Sequence, residues 1–84
     1  RDRSGYGRYD IMLVPHDQKN NAIVMEFKVH EADEEETLED TVQAALKQIR
    51  EKNYDAGLTA AGIPKEKIRH YGFAFEGKKV LIGK

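Results

Sequence analysis

The sequence predicts a small α+β domain of mixed α/β type, two thin layers deep, in the order β-β-α-(α)-β-β. Three patterns carry that expectation. Two β-rich runs near the start are joined by a short polar link. A central stretch repeats its apolar residues at helical spacing, and two further β-rich runs near the end flank a Glu-Gly step.

Tyr9 to Val14 (YDIMLV) reads as the first strand, with Tyr9, Ile11 and Leu13 on one face and Asp10, Met12 and Val14 on the other. Pro15 stops it, because proline cannot donate to a sheet ladder. His16 to Asn21 is polar and turn-like, and Ala22 to Val29 (AIVMEFKV) returns as the second strand of an antiparallel hairpin. Its Ile23, Met25, Phe27 and Val29 share an apolar face that is expected to be core; Val24, Glu26 and Lys28 share the other. His30 to Asp40 holds seven carboxylates and reads as a solvated loop leading into a helix N-terminus. Asp33 or Thr37 can cap that helix, since each has a carboxylate three positions on. Leu38, Val42, Ala45, Leu46 and Ile49 then predict a helix from about Thr37 to Asn53, with Lys47, Arg50 and Lys52 suiting the negative end of its dipole. Asp55 to Ala61 can form a shorter helix before Gly62 and Pro64. Ile68 to Phe75 is the third strand, with Tyr71, Phe73 and Phe75 on one face read as core; Glu76-Gly77 is a tight turn and Lys79 to Ile82 the last strand.

Eighty-four residues make a single domain with a marginal core, and the absence of cysteine excludes disulfide support. Charged residues are 35% of the chain yet nearly cancel, to a net charge of −1, which excludes a strongly basic nucleic-acid coat protein and a polyacidic tail. No apolar run approaches the ~20 residues of a membrane helix. With no signal peptide visible and no initiator methionine, the expectation is a cytoplasmic piece of a longer protein.

Glu26 and Lys28 project together from the middle of an apolar strand, where an isolated charge costs several kcal/mol unless it is partnered. With a turn centred near Gln18, Asp10 falls opposite Glu26 on the same face. Two adjacent carboxylates repel, and a divalent cation removes the conflict; one or two carboxylates plus waters suit Mg²⁺. A neighbouring lysine can then position the attacking water and offset charge in the transition state. A cross-strand salt bridge on a half-exposed sheet explains the same three residues equally well.

Asp10 followed by the hairpin and then Glu26-Phe27-Lys28 resembles the D…(D/E)-x-K signature of the PD-(D/E)XK nuclease superfamily. Gly7-Arg8-Tyr9-Asp10, Ala45 through Gln48-Ile49, and Tyr71-Gly72-Phe73-Ala74-Phe75 followed by Gly77-Lys78-Lys79-Val80 look like the nuclease domain found behind an AAA-ATPase-like domain in bacterial and archaeal proteins. The resemblance implies a restriction-endonuclease-like core over nearly the whole chain. It implies that Asp10, Glu26 and the backbone carbonyl of Phe27 ligate Mg²⁺, for which Mn²⁺ can substitute. Lys28 would act on the attacking water and Gln48 would face the site from the helix. It further implies DNA as substrate and an AAA-ATPase-like domain in the parent protein. The superfamily core usually opens with a helix before the hairpin; Arg1 to Tyr6 carry no such pattern, so the expectation is a partial domain lacking that helix.

Other residues point less far. His16, His30 and His70 have neither zinc-like spacing nor cysteine partners; His30, two positions after Lys28, reads either as a surface residue or as lining the same face. Gly5-Tyr6-Gly7 is no phosphate loop, since no GK[ST] follows, and Ser4 has no evident base. Arg1, Arg3 and Arg8 lie beside the site, and six lysines and arginines against two acids fill the last twenty residues. Arg3, Arg8, Lys78 and Lys79 are thus candidates to flank a DNA backbone; the alternative for the C-terminal lysines is that they protect the edge of the last hairpin. Two rivals stand beside the nuclease: a non-catalytic module binding nucleic acid or a partner through an incomplete site, and a homodimer exchanging its C-terminal hairpin or a sheet edge.

Overall fold

The computed structural model describes residues 8–17 and 19–84. The readings for Arg1, Arg3, Ser4, the Gly5-Tyr6-Gly7 bend, the opening helix and the turn centre Gln18 therefore lie outside the described residues. The described elements are β1 (Arg8–Leu13), β2 (Ala22–Val29), α1 (Leu38–Lys52), α2 (Tyr54–Ala60), a 3-10 turn (Lys65–Lys67), β3 (Ile68–Glu76) and β4 (Lys79–Gly83). They form a mixed four-stranded sheet in the order β1-β2-β3-β4, an α+β arrangement consistent with a PD-(D/E)XK nuclease-like core. The β1–β2 and β3–β4 pairs are antiparallel. β2 and β3 run parallel, which requires the crossover that the helices supply.

α1 starts and stops where its sequence dictates. Thr37 accepts from the Asp40 amide while the Asp40 carboxylate receives the Thr37 amide, a complete capping box. Asp33 is not the cap. Asn53 ends the helix in the left-handed region at φ 54°, which asparagine tolerates, and α2 begins at the next residue. The inward stripe Thr41, Val42, Ala45, Leu46 and Ile49 packs on β2, β3 and β4. Ala22, Val24, Leu58, Ile63, Ile68 and Ala74 complete the core.

The close approach of α1 to the sheet depends on Gly72. A Cβ there would lie 2.9 Å from the Val42 carbonyl oxygen and 3.2 Å from the Ala45 Cβ. Gly72 is also the β3 neighbour of Glu26, so the glycine sets the height of α1 above the site. Gly72→Ala is expected to cost about 1–3 kcal/mol through overpacking, read as a lower urea midpoint; an unchanged midpoint would mean that α1 lifts freely.

Three expectations change. The face of β2 against the helix is Ala22, Val24, Glu26 and Lys28, all buried, whereas Ile23, Met25 and Phe27 are half-buried and Val29 is exposed. Alternation shows which residues share a face, but the helix covers the side on which β3 carries Gly72 and Ala74, because residues that small admit it so closely. The more apolar side, including half-buried Tyr71, Phe73 and Phe75, is covered by no described element. On it Phe27 stacks on Tyr9 and Phe73 with ring centroids 4.9 and 4.6 Å apart, a cross-strand aromatic row instead of a core. Finally, Glu76 pairs with Lys79, so the last turn is Gly77-Lys78, one residue later than expected, with Gly77 at φ 60°.

Candidate active site

β1 and β2 are in the register that sets Asp10 directly opposite Glu26, both facing the helix layer. Glu26 is fully buried and Asp10 half-buried. Like charges opposite one another destabilise a strand pair, so the arrangement needs compensation. One oxygen of Asp10, Oδ2, has it: Lys52 Nζ donates at 2.7 Å and the Tyr54 hydroxyl donates as well. That bond, followed by burial, pushes the Tyr54 hydroxyl above the usual tyrosine pKa. The other oxygen, Asp10 Oδ1, and both oxygens of Glu26 are buried without a hydrogen-bond partner among the described residues. Arg8 Nε and Lys52 Nζ approach Glu26 only to 3.9 and 3.8 Å. They offset its charge without bonding it.

Three orphaned, buried, hard oxygens on two adjacent strands fit a divalent cation such as Mg²⁺. Among the described residues no group of three or more His, Cys, Asp or Glu converges as a metal centre. A two-carboxylate set still suits Mg²⁺, which keeps several waters. Phe27 sends its side chain to the open face, and its backbone follows Glu26 directly along β2.

Lys28 shares the buried face with Glu26 but turns its ammonium elsewhere. Its Nζ lies 2.5 Å from Glu35 Oε2 and 3.2 Å from Glu31 Oε1. Among the described residues it forms no ion pair with Asp10 or Glu26. Glu35 is buried, contrary to a solvated acidic loop, because three donors meet it: Lys28, the Glu31 amide at 2.9 Å and the Thr41 hydroxyl at 2.9 Å. Burial alone would raise the Glu35 pKa, but these bonds outweigh it and hold the carboxyl below its usual range. His30 is also packed inside, its Nδ1 2.6 Å from Thr41 Oγ1, so it lines the Lys28 face and is not a surface residue.

Gln48 is half-buried on α1, between Thr41, which is linked through Glu35 to Lys28, and Lys52, which reaches Asp10. With Lys52 four positions on, it sits on the helix stripe that runs above the two carboxylates. Arg8 is beside Glu26, whereas Lys78 and Lys79 lie at the far edge of the sheet, at the end nearer Lys28 than Ala22. Arg3 is outside the described residues.

By sequence, Lys52 has a role only at the negative end of the helix dipole, and Tyr54 has none. The i, i+4 step from Gln48 to Lys52 is a signal that could have found the lysine. Tyr54 had none, because its direction is set by the left-handed turn at Asn53.

No helix among the described residues is long and apolar enough to cross a membrane. Neither a curated protein nor a solved structure matches the chain. One family model does, the ninth PD-(D/E)XK family, described as PD-(D/E)XK nuclease superfamily, and it spans residues 1–84. With Asp10 set across from Glu26 and Lys28 two positions along the same face, the chain belongs to the PD-(D/E)XK nuclease superfamily, and that membership suggests a nuclease-type function.

Proposed function

We propose that this chain is a metal-dependent nuclease that hydrolyses DNA phosphodiester bonds. The observation that carries the reading is the cross-strand pair of Asp10 and Glu26 with three buried, unpartnered carboxylate oxygens. These two residues, with the backbone carbonyl of Phe27, would hold Mg²⁺, or Mn²⁺ in its place. Bound there, the cation supplies Lewis-acid polarisation of the phosphate and a water of lowered pKa. The chain's own residues do the rest. Lys28, once turned from Glu35 toward the two carboxylates, is the cation that would place the attacking water and offset negative charge as the phosphate accepts it. Gln48 orients water or phosphate from α1 through its amide. Arg8, with Lys78 and Lys79 at the opposite edge, holds the DNA backbone by charge, so binding should weaken steeply with salt.

The test is cleavage of plasmid and oligonucleotide DNA with Mg²⁺ or Mn²⁺. Activity is expected in the wild-type chain and loss of it in Asp10→Asn and in Lys28→Ala. Cleavage undiminished in both variants would overturn the mechanism. One observation favours a second reading, a non-catalytic module that binds nucleic acid or a partner: Lys28 is bonded to Glu35 and Glu31 instead of facing the carboxylates. Calorimetry separates the two readings, since the nuclease site must bind Mn²⁺ and must bind it measurably more weakly in Asp10→Asn.

A further inference from the structure

The two oxygens of Asp10 have opposite fates, and the donors that divide them come from the junction of α1 and α2. Lys52 is the last residue of α1 and Tyr54 the first of α2; Asn53 between them is the left-handed residue that lets both side chains turn back to the sheet. Both donate to Oδ2, across more than forty residues of sequence. Oδ1, on the same carboxylate, is buried and has no partner among the described residues, as is the case for both oxygens of Glu26. A free carboxylate can rotate about χ2 and present either oxygen. One whose Oδ2 is held from outside by two donors presents only Oδ1 to its neighbour.

We propose that Tyr54 is a positioning residue for cation binding: with Lys52 it holds Asp10 Oδ2 and thereby reserves Oδ1, together with Glu26, for the cation. The proposal rests on the reading of Asp10 and Glu26 as metal ligands and adds to it the group that orients one of them. Hydrogen bonds to a ligating carboxylate of this kind commonly control metal affinity by 10–100-fold. Tyrosine suits the role because its hydroxyl donates without adding positive charge beside the cation. Lys52 donates too, but its charge opposes a cation, so its removal has two effects of opposite sign. Tyr54 gives the clean test.

The experiment is calorimetric titration of the metal-free chain with Mn²⁺, comparing wild type, Tyr54→Phe, Asp10→Asn and the double variant. Tyr54→Phe keeps the ring in place and removes only the donor. It is expected to weaken Mn²⁺ binding by roughly 10–100-fold. In the Asp10→Asn background the same change should weaken binding no further, because both act on one carboxylate. A residue that merely supports the fold would add its loss in either background. Unchanged affinity in Tyr54→Phe, or an equal added loss in the double variant, would overturn the proposal while wild-type binding leaves the nuclease reading intact. No Mn²⁺ binding by the wild-type chain would remove the metal reading itself, and this proposal with it.

Discussion

Glu26→Gln is expected to make the metal-free protein more stable while it strongly slows cleavage. The Glu26 side chain has no solvent exposure, and neither oxygen has a hydrogen-bond partner among the described residues. Arg8 and Lys52 stand at 3.9 and 3.8 Å, too far to repay desolvation of a full charge. Asp10 faces Glu26 with an equally orphaned Oδ1. Glutamine removes one of two opposed charges, and its amide can donate to that Oδ1 with little change in volume. The gain should be about 1–2 kcal/mol, within the range that an unsatisfied buried polar group costs. Urea unfolding in a chelating buffer measures it.

The same substitution removes a charged cation ligand, so Mn²⁺ should distinguish the two proteins in the opposite direction. At a free concentration 100 times its Kd, a cation that binds only the folded state stabilises it by about 2.7 kcal/mol. Wild type should gain this and Glu26→Gln should not. Cleavage should fall roughly 10³-fold, the rate equivalent of about 4 kcal/mol of lost transition-state stabilisation. A variant that is less stable than wild type without metal, yet equally stabilised by Mn²⁺, would show that Glu26 is a structural residue. Crossing of the two stability orders on adding metal is what a site that sacrifices stability for function predicts.

How far the sequence goes is visible in these same residues. The β-hairpin register, and with it the Asp10–Glu26 juxtaposition, followed from alternation and a short polar link. The long helix followed from its apolar spacing and the Thr37–Asp40 box. The choice of buried face did not follow, because it depends on which side the crossover helices take. The apolar row around Phe27 suggested a core, whereas the close approach over Gly72 requires the side with alanine and glycine. The acidic segment misled for a related reason: seven carboxylates suggest solvent, and nothing local reveals that one of them folds over Lys28. Tyr54 depends on a single left-handed residue whose effect is tertiary.

Glu35 yields the second large effect, and its dependence on pH identifies its cause. The carboxylate is buried against Lys28 Nζ at 2.5 Å, and the Glu31 amide and Thr41 hydroxyl also donate to it. Glu35→Gln leaves the Lys28 ammonium buried with only the half-exposed Glu31 in reach at 3.2 Å. Breaking a buried pair on one side costs about 3–5 kcal/mol; with Glu31 remaining, roughly 3 kcal/mol at neutral pH is expected. Although burial works against it, hydrogen bonding and the Lys28 charge keep the Glu35 pKa below its usual range in the folded protein. The unfolded chain therefore takes up the proton first on acidification. The carboxylate's contribution is full above the unfolded-state pKa and is lost as pH falls through the lower, folded-state value. The stability gap between wild type and Glu35→Gln should thus be widest near pH 7, begin to close below about pH 5 and narrow further with acid. Urea midpoints at pH 7 and pH 3.5 measure the change. A gap that is equal at both pH values would mean that Glu35 holds the loop by shape and not by charge. A gap that narrows on acidification identifies the Lys28–Glu35 ion pair as the contact that folds the acidic segment onto β2 and fixes the direction of the lysine beside the two carboxylates.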